Sequence, residues 1–138
     1  MDTLTPQNRS ALMARIRGKN TRPEIAVRRV LHALGFRFRL HRRSLPGCPD
    51  IVLPKHRTVV FVQGCFWHGH EGCRRSALPK SNTRFWAEKI RRNRARDVLA
   101  RTALRAAGWR VRYVWECQTR DLVRLRRRLS AFFSGGRT

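Results

Sequence analysis

The apolar residues of this chain recur with two different periods. After Thr21-Arg22-Pro23-Glu24, which has the spacing of a capping box, Ile25, Val27, Val30, Leu31 and Leu34 recur at helical intervals, and Gly35 closes the helix. A shorter helix is predicted from Pro6 to about Ile16, with Thr5 as cap and Leu12, Met13 and Ile16 on one side. Phe36, Phe38 and Leu40 alternate with Arg37, Arg39 and His41, the pattern of a half-buried strand. Leu45-Pro46-Gly47-Cys48-Pro49-Asp50 reads as a turn. Ile51-Val52-Leu53 and the run from Thr58 to Val62 predict a hairpin around Pro54-Lys55-His56-Arg57. A long helix is expected from about Thr83 to Ala107, ended by Gly108, and Trp109 to Trp115 alternates as a strand. The last helix runs from Asp121 to Phe133, with Leu122, Leu125, Leu129 and Phe132 inward.

The order is thus helix, helix, three strands, long helix, strand, helix. Three consecutive strands form a meander, and the crossover helix returns the fourth strand in parallel, beside the 58–62 strand. The expected fold class is α/β, a mixed central sheet flanked by helices. At 138 residues the chain is expected to form a single domain. Residues 1–20 are expected to be an N-terminal arm and helix that touches the partner, and 134–138 a flexible tail.

Charge points to that partner. The chain has 32 Lys and Arg against 8 Asp and Glu, a net charge of +24. Such an excess repels itself in a compact state and suits a polyanion, above all nucleic acid, whose phosphates release counterions on contact. No apolar stretch approaches the ~20 residues of a membrane span, and the N-terminus lacks the apolar core of a secretory signal. The expected setting is intracellular, where cysteines bind metal more often than they form disulfides.

The chemistry gathers in Gly64-Cys65-Phe66-Trp67-His68-Gly69-His70-Glu71-Gly72-Cys73, at the end of a strand. Cys65, His70 and Cys73, joined by Cys117 from the next strand end, form a candidate zinc set. His68 is an alternative to His70, and reduced core cysteines are an alternative to a metal site. Cys48 is the odd cysteine, with a structural role expected. Asp50, between a turn and an apolar strand, suits a magnesium ligand for phosphodiester cleavage. On composition alone, a turn aspartate bonded to its own backbone is the better account. Glu24 has a sufficient local role in the capping box, and Glu71 reads as a solvated loop residue. Phe66 and Trp67 lie between ligands, where a core ladder is out of place, and one of Phe85 and Trp86 should face outward. These aromatics, with Arg91, Arg92, Arg94 and Arg96 on the same helix as Trp86, suit a nucleic-acid surface. Arg124, Arg126, Arg127 and Arg128 are consistent with a plain solvated face.

At these residues the chain resembles the very-short-patch repair (Vsr) endonucleases. The matching words are Met13-x-x-Ile16, Thr21-x-Pro23-Glu24, Leu45-Pro46-Gly47-x-Pro49-Asp50, Gly64-Cys65-Phe66-Trp67-His68, Phe85-Trp86-x-x-Lys89, Asn93-x-x-Arg96-Asp97, Gly108-Trp109 and Val114-Trp115-Glu116-Cys117. They run in order over nearly the whole chain. The resemblance implies a restriction-endonuclease-like fold, a structural Zn²⁺ on Cys65, His70, Cys73 and Cys117, and Mg²⁺-dependent nicking of duplex DNA beside a T·G mismatch left by deamination of 5-methylcytosine. It implies that Asp50 and the Val62 carbonyl meet the Mg²⁺, that His68 is catalytic, and that Glu24 lies close to the site. It also implies that Phe66, Trp67 and Trp86 wedge into the helix; Lys89, Arg91, Arg92 and Arg96 are expected to bind DNA.

The chain departs from the pattern at Gln63, where relatives commonly carry His or an acid. A neutral amide neither adds charge to a metal site nor takes a proton at neutral pH. Glu71-Gly72 is a further variation, in the metal loop. The expected protein is a monomeric, bacterial, cytoplasmic mismatch endonuclease associated with the nucleoid, with mismatch-repair proteins as partners. The rival readings are a zinc-stapled DNA-binding protein without catalysis, and a related nuclease with another DNA substrate.

Overall fold

The computed structural model describes residues 20–134. The expected N-terminal helix and arm, except Asn20, and the tail beyond Ser134 lie outside the described residues. Four strands form one sheet in the order β1-β2-β3-β4. Here β1 is Arg39–Leu40, β2 Ile51–Leu53, β3 Thr58–Gln63 and β4 Arg110–Trp115; the helices are α1 (Arg22–Ala33), α2 (Thr83–Ala106) and α3 (Leu122–Ser134). β1, β2 and β3 pair antiparallel, while β4 pairs parallel to β3 from Thr58↔Arg110 to Gln63↔Trp115. The expected meander and parallel return are therefore both present.

Side-chain alternation splits the core into two layers. Ile51, Leu53, Val60 and Val114 pack on one face against Val27 and Leu31 of α1 and Leu125 and Leu129 of α3. Val52, Val59 and Val111 pack on the other face with Leu104 of α2. β2 is buried on both faces, which is why it reads as an unbroken apolar run rather than an alternation. Its hairpin with β3 turns through a 3₁₀ segment, Pro54–His56, closed by Arg57 in the left-handed region.

Three local expectations need correction. Phe36 and Phe38 are not in a strand: only Arg39–Leu40 pairs. The Phe36 ring instead packs on His56 and Phe133, so its apolar contacts come from an irregular segment that mimics period two. Leu122 is 58% exposed rather than inward. It begins α3, whose first turn is capped by the Asp121 carboxylate accepting from the Val123 and Arg124 N–H groups; the buried stripe starts one turn later, at Leu125. The capping box at Thr21 is only half formed. Thr21 Oγ1 accepts from Glu24 N at 3.3 Å, but the Glu24 carboxylate serves another structure, described next.

Candidate active site and metal centre

A cleft of about 670 Å³ opens where α1 begins, β3 ends and α2 passes. Asp50 leads into β2 and lies beside β3, so Val62 N–H donates to its Oδ2 at 2.7 Å. The turn before it is pressed onto α2 at Gly47, which has φ +74°; a Cβ there would sit 2.7 Å from the Ala100 Cβ. Glycine is thus required both for the backbone and for the approach. Glu24 is only 2% exposed. Its Oε2 accepts from Asn20 N at 3.2 Å, from His41 Nε2 at 2.8 Å and from Arg28. The ligand atoms of Glu24, His41 and Asp50 all lie within 4.8 Å of one another.

Burial, reinforced by the Glu24 charge, pushes the Asp50 carboxyl up to about 7, against the lowering effect of the Val62 N–H and of His68. The sign of its effect on stability follows. A carboxyl raised above its ordinary 3.8 holds its proton in the fold while the unfolded chain has lost it. Its stabilising contribution is complete below about pH 4 and is lost as pH rises through about 7. Without added divalent ion, wild type should therefore lose stability relative to Asp50→Asn between pH 4 and 8, by on the order of a few kcal/mol. Thermal melts of the two proteins across that range check this; a constant difference would show that burial does not control Asp50.

On the facing helix, Asn93, Asp97 and Ala100 line the same cleft from α2. His68 Nδ1 lies 2.6 Å from Asp97 Oδ2. An Nδ1–H donated to that carboxylate leaves Nε2 as a lone-pair site, and no described residue bonds to it. Asn93 Nδ2 donates to the Trp67 carbonyl at 2.9 Å and anchors the aromatic loop on α2. Gly69, at φ +60°, lets the loop come close: a Cβ there would meet Ile90 Cγ2 at 2.8 Å. Phe66, Trp67 and Trp86 form an edge-to-face triangle with centroids 5.2–5.8 Å apart. Trp86 is half-buried and Phe85 is 54% exposed, so the pair divides as expected.

Beyond the cleft, Cys65, His70, Cys73 and Cys117 bring their ligand atoms within 4.8 Å of one another. Cys117 Sγ lies 3.6 Å from His70 Nδ1. A tetrahedral zinc with Zn–S near 2.3 Å and Zn–N near 2.05 Å sets that pair about 3.6 Å apart. The His70 ring stacks on Trp115 at 4.1 Å, which fixes its orientation. Burial pushes the Cys65 thiol up to about 12; a cation is the natural means of holding it as thiolate. The donor set fits zinc. His68, turned to Asp97, lies outside this group, so the alternative of His68 in place of His70 does not match the geometry.

Of the residues singled out in the sequence, Glu24, Asp50, Val62, Gln63, Phe66, Trp67, His68 and Arg96 all line the cleft. Gln63 is 5% exposed. Arg91 and Arg92 lie on the outer surface of α2, where Glu88 pairs with them at 2.5 and 3.9 Å; Lys89 is half-buried. Exposed pairs of this kind contribute little and exchange readily for phosphates. Glu71 is a solvated loop residue, with its side chain 85% exposed beside Arg94. Cys48, the odd cysteine, lines the cleft at φ +47°. His41 and the role of Asp97 went unrecognised. The i, i+4, i+7 spacing of Asn93, Asp97 and Ala100 marks one helix face and was a usable signal for Asp97. His41 sat on the polar side of an apparent strand and gave none.

The fold and site define an α/β protein with a carboxylate–histidine cleft beside a Cys₃His group able to hold a metal ion. The sequence profile of the family "DNA mismatch endonuclease Vsr" matches residues 1–75. The chain is 58% identical to the type II nicking enzyme V.XorIIP of Xanthomonas oryzae, over 93% of each chain. It is 46% identical to the type II nicking enzyme V.NmeAIP of Neisseria meningitidis, over 94% of this chain and 91% of that one. It is 41% identical to the DNA mismatch endonuclease Vsr of Escherichia coli, over 85% of this chain and 74% of that one. The chain belongs to the Vsr family of DNA mismatch endonucleases.

Proposed function

We infer that this protein nicks one strand of duplex DNA beside a T·G mismatch, in the repair of deaminated 5-methylcytosine, on a restriction-endonuclease-like fold. The observation that carries the reading is the cleft itself: Asp50 and Glu24 face the His68–Asp97 pair across a space bordered by Phe66 and Trp67.

Asp50, the Val62 carbonyl and Glu24 are the groups that would hold a Mg²⁺; when bound, the ion neutralises charge developing on the phosphate oxygens. His68 takes or delivers a proton at Nε2. Asp97 fixes its tautomer through Nδ1 and stabilises the imidazolium. The edge-to-face triangle presents rings next to the cleft, where insertion between bases would cost less at a wobble pair than at a matched one. Lys89, Arg91, Arg92 and Arg96 would follow the backbone phosphates. Cys65, His70, Cys73 and Cys117 would hold a Zn²⁺, which would fasten the loop that carries His68, Phe66 and Trp67. No helix among the described residues is long and apolar enough to cross a membrane; with DNA as substrate, the working place is the bacterial cytoplasm at the nucleoid. The protein acts as a monomer, with mismatch-repair proteins as partners.

A nicking assay on one duplex set, with T·G, other mismatches and matched controls, tests the reading directly. Nicks confined to T·G duplexes support it; binding with no nick at any of them would favour a DNA-binding protein. Trp67→Ala should lower the preference for T·G over matched duplex by about tenfold while the fold persists, since stacking is worth roughly 1–3 kcal/mol per base. Competition binding and circular dichroism read the two effects separately, and a collapse of the fold would assign Trp67 to the core.

A further inference from the structure

We propose that His41 is a third side-chain ligand, with Asp50 and Glu24, of the divalent ion in the cleft, and that its nitrogen biases the site toward transition-metal ions over magnesium. This rests on the nuclease reading for the presence of an ion, but it concerns a residue to which that reading gives no role.

Three observations carry it. The first is spacing. An octahedral ion with bonds near 2.1 Å sets adjacent ligand atoms about 3.0 Å apart and opposite ones about 4.2 Å apart. His41 Nε2 and Glu24 Oε2 are 2.8 Å apart, and all three side chains keep their ligand atoms within 4.8 Å. The three side chains are thus gathered within reach of a single ion.

The second is backbone. His41 has φ +45°, a costly conformation for a residue with a Cβ. Its N–H donates to the Asp50 carbonyl at 3.2 Å, so the residue that follows β1 is locked to Asp50. That bend leaves the imidazole only 12% exposed against Glu24.

The third is what Glu24 already has. If His41 served only to neutralise Glu24, it would duplicate Arg28 and Asn20 N–H, which reach the same Oε2. The Glu24 carboxylate, beside a buried imidazole and a second carboxylate, makes a mixed nitrogen–oxygen donor set. Imidazole suits transition ions, whereas magnesium keeps to oxygen.

Manganese is the probe, added to the zinc-loaded full chain without DNA. Pulsed electron paramagnetic resonance of the bound ion should show coupling to a directly bonded nitrogen. That coupling should persist in His68→Ala and vanish in His41→Asn, a substitution that tolerates the left-handed backbone. Isothermal titration should show manganese bound about tenfold or more tighter than magnesium in wild type, with that margin reduced to within about threefold in His41→Asn. Absence of nitrogen coupling in wild type, which needs no variant to observe, overturns the proposal. So does coupling that survives in His41→Asn. Neither readout involves cleavage: nitrogen coupling with no nicking would sink the nuclease reading alone.

Discussion

Asp50→Asn is expected to abolish magnesium-supported nicking of a T·G duplex while leaving DNA binding within about threefold of wild type. Asparagine has nearly the same shape, and its oxygen can still accept from Val62 N–H, as Asp50 Oδ2 does at 2.7 Å. What it removes is the charge, and Asp50 with Glu24 supplies the carboxylate oxygens of the cleft cluster. Binding survives because phosphate contacts elsewhere on a chain of net charge +24 carry the affinity. His68→Ala should slow the chemical step by roughly 10²–10⁴-fold, the range for a positioned acid or base. Asp97→Asn should slow it as well and alter the pH–rate profile, because the amide no longer holds the Nδ1–H tautomer. Gln63 gives the sharper arm: it is buried in the cleft and neutral. Gln63→His or Gln63→Asp should raise the rate if the site is a weakened member of its family. Single-turnover nicking with magnesium, then manganese, reads all of these. Should wild type and both Gln63 variants bind DNA yet never nick, the assignment of this cleft to mismatch cleavage is wrong.

The second large effect is expected at Cys117. Cys117→Ser should reduce the zinc content from about one per chain to near zero and remove cooperative unfolding. Cys117 comes from the 3₁₀ segment after β4 and meets Cys65, its N–H 3.4 Å from the Cys65 sulfur. This contact closes a loop across the whole of α2. Structural zinc contributes roughly 10–16 kcal/mol in small zinc modules, comparable with the 5–15 kcal/mol of a typical domain. His68, Phe66 and Trp67 ride on the same loop, so the variant should also lose activity. Cys48→Ser, in the cleft but outside the sulfur cluster, is the control and should keep its zinc. Metal analysis with thermal melts decides the matter; a zinc-free Cys117→Ser that melts like wild type would remove zinc from the account of stability.

Much of this architecture was legible in the chain. The unbroken run Ile51-Val52-Leu53 and the break at Pro54 required a buried hairpin, and a 24-residue helix before the next strand required a crossover. That crossover placed β4 beside β3 and hence Cys117 beside Cys65, so the Cys₃His group could be foreseen from four positions and a topology. Period alone failed where tertiary packing set the contacts. Phe36 alternates like a strand residue but is held by His56 and Phe133, two partners far apart in sequence. Leu122 keeps the helical interval yet lies on a turn that nothing described covers.

The cleft divides in the same way. Asp50 and His68 were marked by their motifs, because each sits at a strand end where local sequence fixes position. Glu24 was read through its nearest neighbours as a cap, and the local half of that reading holds at Thr21. Its burial against His41, 17 residues away, depends on how α1 seats over the sheet. Asp97 meets His68 across 29 residues, and His41, left-handed in backbone just after β1, reaches Glu24 across 17. Sequence by itself determined the periodic elements, their order and the identity of the donors. The tertiary structure decided which donors meet, because distances of 2.6 to 2.8 Å between side chains are set by the packing of whole elements, and local periodicity contains no information about them.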